Sequence, residues 1–295
     1  MRKFEHVLSG HARPGVSAVR FFYKLCGSSQ PSILQASDGA FYVVKFNGFP
    51  GSQALANEVV GTALIRRAGL PAPDWMPIEV SSDFLDQNHA LWFNNNGHAP
   101  IRPRPGIHFG SRLIEASGER RTYQIIPHSW IKRVQNRADF LGMLVLDLWA
   151  NNCDRRQAVY LSTGRGLQAR FIDNDFMFGG KFGYDRTCPR RAMVHDLSLY
   201  SGLWNEDSVQ QWLEKFDGIS ENTIRRIVAS VPEEWVTAEL RRRILSQLLT
   251  RRSILPRLLN DARHVLASGY SISYHRPRHA TEPAQIRGTS VLPLQ

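Results

Sequence analysis

The chain has 295 residues, and 42% of them are hydrophobic, which is enough to bury a core and excludes global disorder. Its longest apolar run, residues 141–150, is interrupted by Asp147 and is too short for a membrane span, so we expect no transmembrane helix. The formal net charge of +11 favours polyanionic partners such as nucleotides, nucleic acid or an acidic protein surface, although a solvated basic surface explains it equally well. Three cysteines without ligand spacing, and a start without an apolar stretch, indicate a cytoplasmic protein that lacks disulfides and zinc.

The first part of the chain is predicted to be rich in β-strands. Residues 32–36 and 41–46 alternate in the manner of strands, and the glycine-containing turn between them indicates a hairpin. A helix is expected over residues 52–68, with Ser52 as its N-cap and Gly69 as its stop.

From about residue 138 the pattern becomes mostly helical, with one strand–loop–strand section between residues 157 and 179. The segment 139–151 is apolar almost all the way round, as in a helix buried in the middle of a lobe. The remaining helices are predicted over residues 206–216, 221–230 and 232–264. We expect the last of them to be split or kinked at Pro256. Residues 268–295 are polar and lack periodicity, which indicates a disordered tail.

Two charged residues of the first part stand among apolar neighbours. Lys45 lies in the predicted strand 41–46 on a face shared with apolar side chains, so its ammonium needs a carboxylate or a phosphate as partner. Glu58 is the only charge between Lys45 and Arg66, and it could meet the lysine if the predicted helix packs across the sheet. The alternatives are an edge-strand lysine whose head reaches water and a solvated helix glutamate.

Three polar segments are candidates for the chemistry of a phosphate or a metal. Residues 26–30 are small and polar, and such a loop can cradle phosphates, although an ordinary turn explains them equally well. The loop 151–157 directly follows the buried helix, which suits a catalytic loop. Asp173 and Asp175 stand inside an aromatic and apolar run, where a carboxylate needs a cation or a hydrogen-bond donor, unless they simply form a turn.

These elements follow one another in the order found in protein kinases. From about residue 10 to residue 266 the chain resembles the HipA-like kinases of bacteria in five ordered motifs, which are specific together although none is specific alone. The motifs are GSSQP at 27–31, YVVKF at 42–46, ALANE at 54–58, NCDRRQAVY at 152–160 and FIDNDFMF at 171–178.

The resemblance implies an α+β, two-lobed protein-kinase-like fold. A small β-rich N-lobe with one helix would occupy residues 1–112, and a larger, mainly helical C-lobe would occupy residues 113–267. It also implies that ATP and Mg²⁺ bind, and that the γ-phosphate is transferred to a hydroxyl of an unknown acceptor, either a protein serine or threonine or a small molecule.

The same resemblance implies functions for individual residues. Lys45 would contact the nucleotide phosphates, with Glu58 positioning it, and Asp154 would be the catalytic base. Gln157 and Asp173 would be the Mg²⁺ ligands. Further contacts to the nucleotide would come from Gly27, Ser28, Ser29 and Gln30 in the loop, and from Gly110 and Ser111 in the connection between the lobes.

Two features depart from the pattern of better-known kinases. Val159 stands where those kinases have an asparagine, which leaves Gln157 as the nearest amide, and Arg155 and Arg156 stand where a glycine is common. A nucleotide-binding module without catalytic activity is therefore our second hypothesis. A third, a nucleic-acid surface on the arginine-rich segment 232–264, stands against the solvated helix face that we favour there.

Overall fold

The computed structural model describes residues 15–49, 51, 53–95, 97–114, 121–180 and 189–267. Ser52, the predicted N-cap, and the predicted tail 268–295 lie outside these residues, as does Cys188. Neither Cys26 nor Cys153 forms a disulfide with another described residue. Among the described helices, none combines the length and the apolar character needed to cross a membrane.

The first part of the chain is built around a closed barrel of five strands. Its elements are β1 (Val16–Lys24), β2 (Ser32–Ala36), β3 (Phe41–Lys45), α1 (Gln53–Arg67), β4 (Trp75–Val80), α2 (Ser82–Gln87), β5 (Phe93–Asn95), β6 (His98–Ile101) and β7 (Gly106–Arg112). The barrel order is β1–β2–β3–β7–β4, and β5 and β6 form a separate ribbon. The predicted hairpin is confirmed by the antiparallel pairing of β2 with β3. The helix α2 was not expected, since its six residues are too few to show a helical period.

Side-chain alternation along β3 decides which residues face the interior of the barrel. Tyr42 and Val44 point inward and are almost completely buried. Gly110 of β7 lies opposite Val44, and a Cβ atom there would come 2.3 Å from Cγ1 of Ile78, so the position has no room for a side chain. Lys45 points to the opposite face, toward α1.

The expectation that Gly110 and Ser111 connect the two lobes is wrong. Both lie within β7, where they pair with Val44 and Val43 of β3, and the strand continues to Arg112. Their position along the chain suggested the connection, but here Gly110 allows close packing within the barrel, where it approaches Ile78. Ser111 shares the face of Lys45, whereas Gly110 faces the barrel interior.

The second part of the chain is mainly helical, which confirms the α+β class. Its elements are β8 (Thr122–Tyr123), α3 (Ala138–Trp149), β9 (Gln157–Thr163), β10 (Gly166–Ile172), α4 (Glu206–Asp217), α5 (Glu221–Ala229) and α6 (Ala238–Ala267). The strands form one antiparallel sheet in the order β10–β9–β8. The helix α3 is buried from Phe140 to Trp149, as its apolar sequence predicted, and its buried side chains include that of Asp147.

The last helix differs from the prediction at its start, and it is not split at its proline. Residues 233–235 form a separate 3₁₀ turn, and α6 then runs for 30 residues without a break at Pro256. Because Pro256 is exposed, water can satisfy the carbonyl that loses its helical partner, and the helix need not be split.

The arginines of α6 hold the helical part together. Arg241, Arg251 and Arg252 donate to carbonyls at the C-terminal ends of α5, α3 and α4, respectively. Such carbonyls lack helical partners and carry partial negative charge, so a guanidinium there both satisfies and stabilises them. Arg243 binds the side chain of Gln53, and Arg263 pairs with a glutamate of α4. These internal contacts speak against a nucleic-acid surface on this helix.

Candidate active site

Lys45 lies at the centre of a buried cluster of carboxylates. Its Nζ donates to Glu58 in a very short contact and to Oδ1 of Asp173 at 2.7 Å, across 128 residues of sequence. Oδ2 of Asp175 lies 3.4 Å from the same nitrogen. The side chains of Lys45 and Glu58 are 10% and 3% exposed, so the interpretations of an edge-strand lysine and a solvated glutamate are both wrong.

The helix α1 brings Glu58 to this position by packing against the segment that carries the two aspartates. The amide of Asn57 donates to the carbonyls of Asp175 and Met177 at 2.8 and 2.7 Å. One turn further along α1, Gly61 leaves the space that this segment fills, because a Cβ atom there would lie 2.6 Å from Sδ of Met177. The absence of a side chain at Gly61 therefore allows the helix and the aspartate segment to approach closely.

A buried ion pair between Arg156 and Asp147 holds the backbone of Asp173. Arg156 binds both carboxylate oxygens of Asp147, at 2.6 and 2.9 Å, and both side chains are 0% exposed. Its remaining Nη1 donates to the carbonyls of Ile172 and Asp173 at 2.6 and 3.0 Å. Asp173 has a left-handed backbone, with φ of 65°, which costs free energy and needs such support.

Sequence reasoning missed this function of Arg156 and assigned the residue to a departure from the kinase pattern. A signal was present, because Asp147 is an acid within an otherwise apolar buried helix and requires a buried cation. That cation lies nine residues away, at the end of the loop that follows the helix. Arg156 thus supports the site rather than obstructing it.

The electrostatics of the cluster keep Lys45 and Asp173 charged. Burial alone would lower the pKa of Lys45, but the carboxylates of Asp173 and Glu58 outweigh it and raise that pKa well above its usual value. Burial would likewise raise the pKa of Asp173, but the ammonium of Lys45 holds it at about 2. Three carboxylates around one ammonium leave an excess of negative charge.

This excess of negative charge suits a divalent cation. One oxygen each of Glu58, Asp173 and Asp175 lies within 4.8 Å of the others. Mg²⁺ prefers carboxylate oxygens, so the residues present fit the ion that the sequence implied. Gln157, the other predicted ligand, presents its Nε2 to Oδ2 of Asp173 at 2.5 Å, so here its amide supports the aspartate. Asp175 was noted in the sequence but not predicted as a ligand.

The predicted phosphate loop lies at the Lys45 end of the barrel, since Ser32 pairs with Val44 at the start of β2. Gly27 has a φ of 133°, a backbone conformation that favours glycine. The side-chain amide of Gln30 both donates to and accepts from the backbone of Asn94, each at 2.8 Å. The side chain of Gln30 therefore fastens the loop to β5, and its backbone N–H donates to the carbonyl of Gly27 at 3.2 Å, so both donors that the predicted nucleotide contact would use are engaged within the protein.

Asp154 lies in the loop between α3 and β9. Its backbone N–H donates to the side chain of Asn152 at 3.1 Å, and its own Oδ1 accepts the N–H of Arg155 at 2.7 Å. The loop also binds the aspartate segment, through a hydrogen bond from the N–H of Cys153 to the carbonyl of Phe176 at 3.0 Å. Asp154 is half-buried, so its carboxylate remains accessible. Its loop contacts the segment that carries Asp173 and Asp175.

The chain is similar to several solved structures at low sequence identity. Hydra Fam20, solved with sugar, is 11% identical with a TM-score of 0.51, over 83% of this chain and 86% of that one. The Helicobacter pylori proinflammatory kinase CtkA is 12% identical with a TM-score of 0.49, over 85% and 99%. HipA of Shewanella oneidensis MR-1, solved with HipB and operator DNA, is 12% identical with a TM-score of 0.47, over 86% and 68%.

No curated protein sequence matches the chain. The family model described as HipA-like kinase matches residues 24–262, which include Lys45, Glu58, Asp154 and Asp173. The match extends over both the barrel and the helical part, and therefore over most of the chain. The chain belongs to the HipA-like kinase family.

Proposed function

We propose that this protein is a Mg-ATP-dependent phosphotransferase that transfers the γ-phosphate of ATP to a hydroxyl acceptor, preferably a protein serine or threonine. The observation that carries the proposal is the convergence of Lys45, Glu58 and Asp173 in one buried cluster. Its carboxylates suit a metal ion, and its lysine suits a phosphate. Membership of the HipA-like kinase family supports phosphotransferase activity. A cytoplasmic location stays a prediction from the sequence.

The residues of the chain divide the work of phosphoryl transfer. Lys45, held by Glu58, binds phosphate oxygens, and Asp173, Gln157 and Asp175 supply oxygen ligands for Mg²⁺. When bound, Mg²⁺ neutralises charge on the phosphates. Asp154 accepts the proton of the acceptor hydroxyl while the oxygen bonds to the γ-phosphorus, and the bond to the bridging oxygen of ADP breaks.

The remaining contacts to the nucleotide are assigned to residues that lie at the same end or on the same face of the barrel as Lys45. We assign the backbone of the loop residues Gly27, Ser28 and Ser29 to the phosphates, because this loop lies at the Lys45 end of the barrel. Ser111 shares the face of Lys45, so we assign its side chain to the adenine side of the site, whereas Gly110 faces the barrel interior and pairs with both neighbouring strands. Gln157 acts as a ligand through its amide oxygen, which requires its amide to rotate away from Asp173.

The alternative, a nucleotide-binding module without catalytic activity, had two motives in the sequence. Arg156 no longer supports it, because this residue braces the backbone of Asp173. The other motive is that Gln157 follows Asp154 more closely in the sequence than the asparagine of better-known kinases does. An activity measurement decides whether its amide can reach the metal ion.

The proposal is tested with purified protein, Mg-ATP and a mixture of candidate protein acceptors. ADP formation and intact mass report phosphotransfer, and calorimetry reports ATP binding with and without Mg²⁺. We expect Asp154→Asn to lower turnover by about 10²–10⁴-fold while ATP still binds. Asp173→Asn is expected to abolish the Mg²⁺ dependence of ATP binding. The control is Asp261→Asn, which changes an exposed carboxylate on α6.

Two results would contradict the proposal in different ways. Full activity of both site variants would mean that the site is wrongly assigned. ATP binding without any ADP formation or mass increase would favour the module without catalytic activity.

A further inference from the structure

The loop that carries Asp154 has two chemically different sides. On one side, Arg156 and Gln157 direct their side chains toward Asp173 and the carboxylate cluster. Arg155, by contrast, directs its guanidinium onto the imidazole of His195, with Nη1 2.8 Å from Nε2. A group bound to Arg155 would therefore lie next to Asp154, on the side of the loop that faces His195.

Two guanidinium groups flank Asp154 on this outer side. Arg155 is its neighbour in the chain, and Nη1 of Arg191 lies 3.4 Å from the carbonyl of Cys153, the residue before it. The pKa of His195 is lowered, by burial and then by the charge of Arg155, so the ring is neutral at neutral pH. The imidazole thus holds Arg155 in place without compensating its charge.

Neither guanidinium has a carboxylate partner within 4 Å in the part of the chain that the structure describes. Asp196, the residue after His195, accepts hydrogen bonds from the N–H of Ser198 at 3.0 Å and from the hydroxyl of the same residue. Arg155 is half-buried and Arg191 is exposed, so both can reach a bound molecule. This differs from α6, where most arginines are tied to carbonyls or side chains of the protein.

We propose that Arg155 and Arg191 bind carboxylates of the acceptor, so that the hydroxyl phosphorylated by this protein lies in an acidic polypeptide segment. The inference rests on the proposed function and adds its substrate class. Guanidinium groups bind carboxylates through paired, charge-assisted hydrogen bonds, which fix orientation as well as affinity. Carboxylates held on both flanks of the hydroxyl would align it with Asp154, whose own charge would otherwise repel an acidic segment.

The experiment measures phosphorylation of a peptide library in which one serine or threonine is surrounded by random residues, with γ-labelled Mg-ATP. One acidic peptide and its glutamine- and lysine-flanked counterparts are then compared quantitatively. The variants are Arg155→Glu, Arg191→Glu and the double reversal. The matched control is Arg242→Glu, which reverses an exposed arginine on α6 that has no partner among the described residues.

We expect the wild-type protein to prefer aspartate and glutamate next to the hydroxyl. The double reversal is expected to lower kcat/KM for the acidic peptide about tenfold or more, mainly through the KM for peptide, and to shift the preference toward lysine. The control variant is expected to keep the wild-type preference. Added salt should weaken the preference of the wild-type protein, because the contacts are exposed.

Three results would overturn the inference. They are equal use of acidic and basic peptides by the wild-type protein, an acidic preference that survives the double reversal, and an effect on the KM for ATP instead of that for peptide. If ATP is turned over but no peptide is phosphorylated, the inference fails and the proposed function stands. If ATP is not turned over at all, the proposed function fails as well.

Discussion

The ion pair between Arg156 and Asp147 permits a prediction whose size follows from the contacts. Arg156→Met keeps much of the side-chain volume but leaves the carboxylate of Asp147, which is 0% exposed, without its cation. It also removes the donor to the carbonyls of Ile172 and Asp173. Removing one partner of a buried ion pair costs about 3–5 kcal/mol, so we expect the free energy of unfolding to fall by that amount.

The double variant Asp147→Leu, Arg156→Met separates stability from function. Two apolar side chains can replace a buried ion pair at little cost, so we expect the double variant to recover most of the lost stability. A coupling energy of about 2–4 kcal/mol should result. The carbonyl of Asp173 still lacks its donor, however, and its left-handed backbone loses support. Mg-ATP affinity is therefore expected to stay about 10–100-fold below wild type.

Urea denaturation of the wild-type protein, the two single variants and the double variant gives the coupling energy, and calorimetry gives Mg-ATP affinity. Arg156→Lys serves as a conservative control, because it keeps the charge but cannot bind both oxygens of Asp147, and an intermediate loss is expected. The reasoning is refuted if the single variants lose less than about 1 kcal/mol. It is equally refuted if the double variant binds Mg-ATP as the wild-type protein does.

Two further predictions concern packing and pH. Gly61→Ala places a Cβ atom 2.6 Å from atoms of Asn174 and Met177, so we expect a loss of about 1–3 kcal/mol in urea denaturation and weaker Mg-ATP binding. Gly164→Ala, which meets no atom within 4 Å, is the control, and equal effects would contradict this account. Burial lowers the pKa of His108 from 6.5 to about 4, so between these values the unfolded chain binds a proton that the folded chain does not. Stability should fall by up to about 3 kcal/mol as pH decreases across this window, and an unchanged slope in His108→Asn would count against the assignment.

Local patterns in the sequence were sufficient to predict the elements that carry the site. Alternation predicted β3, and with it the apolar face on which Lys45 stands. The capping residue before α1 and the glycine after it predicted this helix, with Glu58 in its middle, but left open whether the glutamate is buried or solvated. The order of these motifs then indicated the family, which the match over residues 24–262 confirms.

Positions within elements were predicted less well where a residue type has several uses. Gly110 and Ser111 were assigned to the connection between the lobes from their position along the chain, but they belong to a strand, and at Gly110 a side chain would clash with Ile78. Gln30 suggested a phosphate contact, but its amide is used to hold the loop against Asn94. In both cases the deciding neighbour lies far away in the sequence and outside any local pattern.

The sequence by itself determined the main strands and helices that carry the site, and which of its charges needed partners, because both follow from neighbouring residues along the chain. Only the tertiary structure decided what those partners are. Asp175 lies beside Lys45, and Arg156 donates to the backbone of Asp173. These side chains take their directions from the packing of the aspartate segment against α1 and against the α3–β9 loop. The direction of a side chain depends on contacts between segments that are distant in the sequence. Those contacts are favourable only when the buried charges are paired, because an unpaired buried charge is costly.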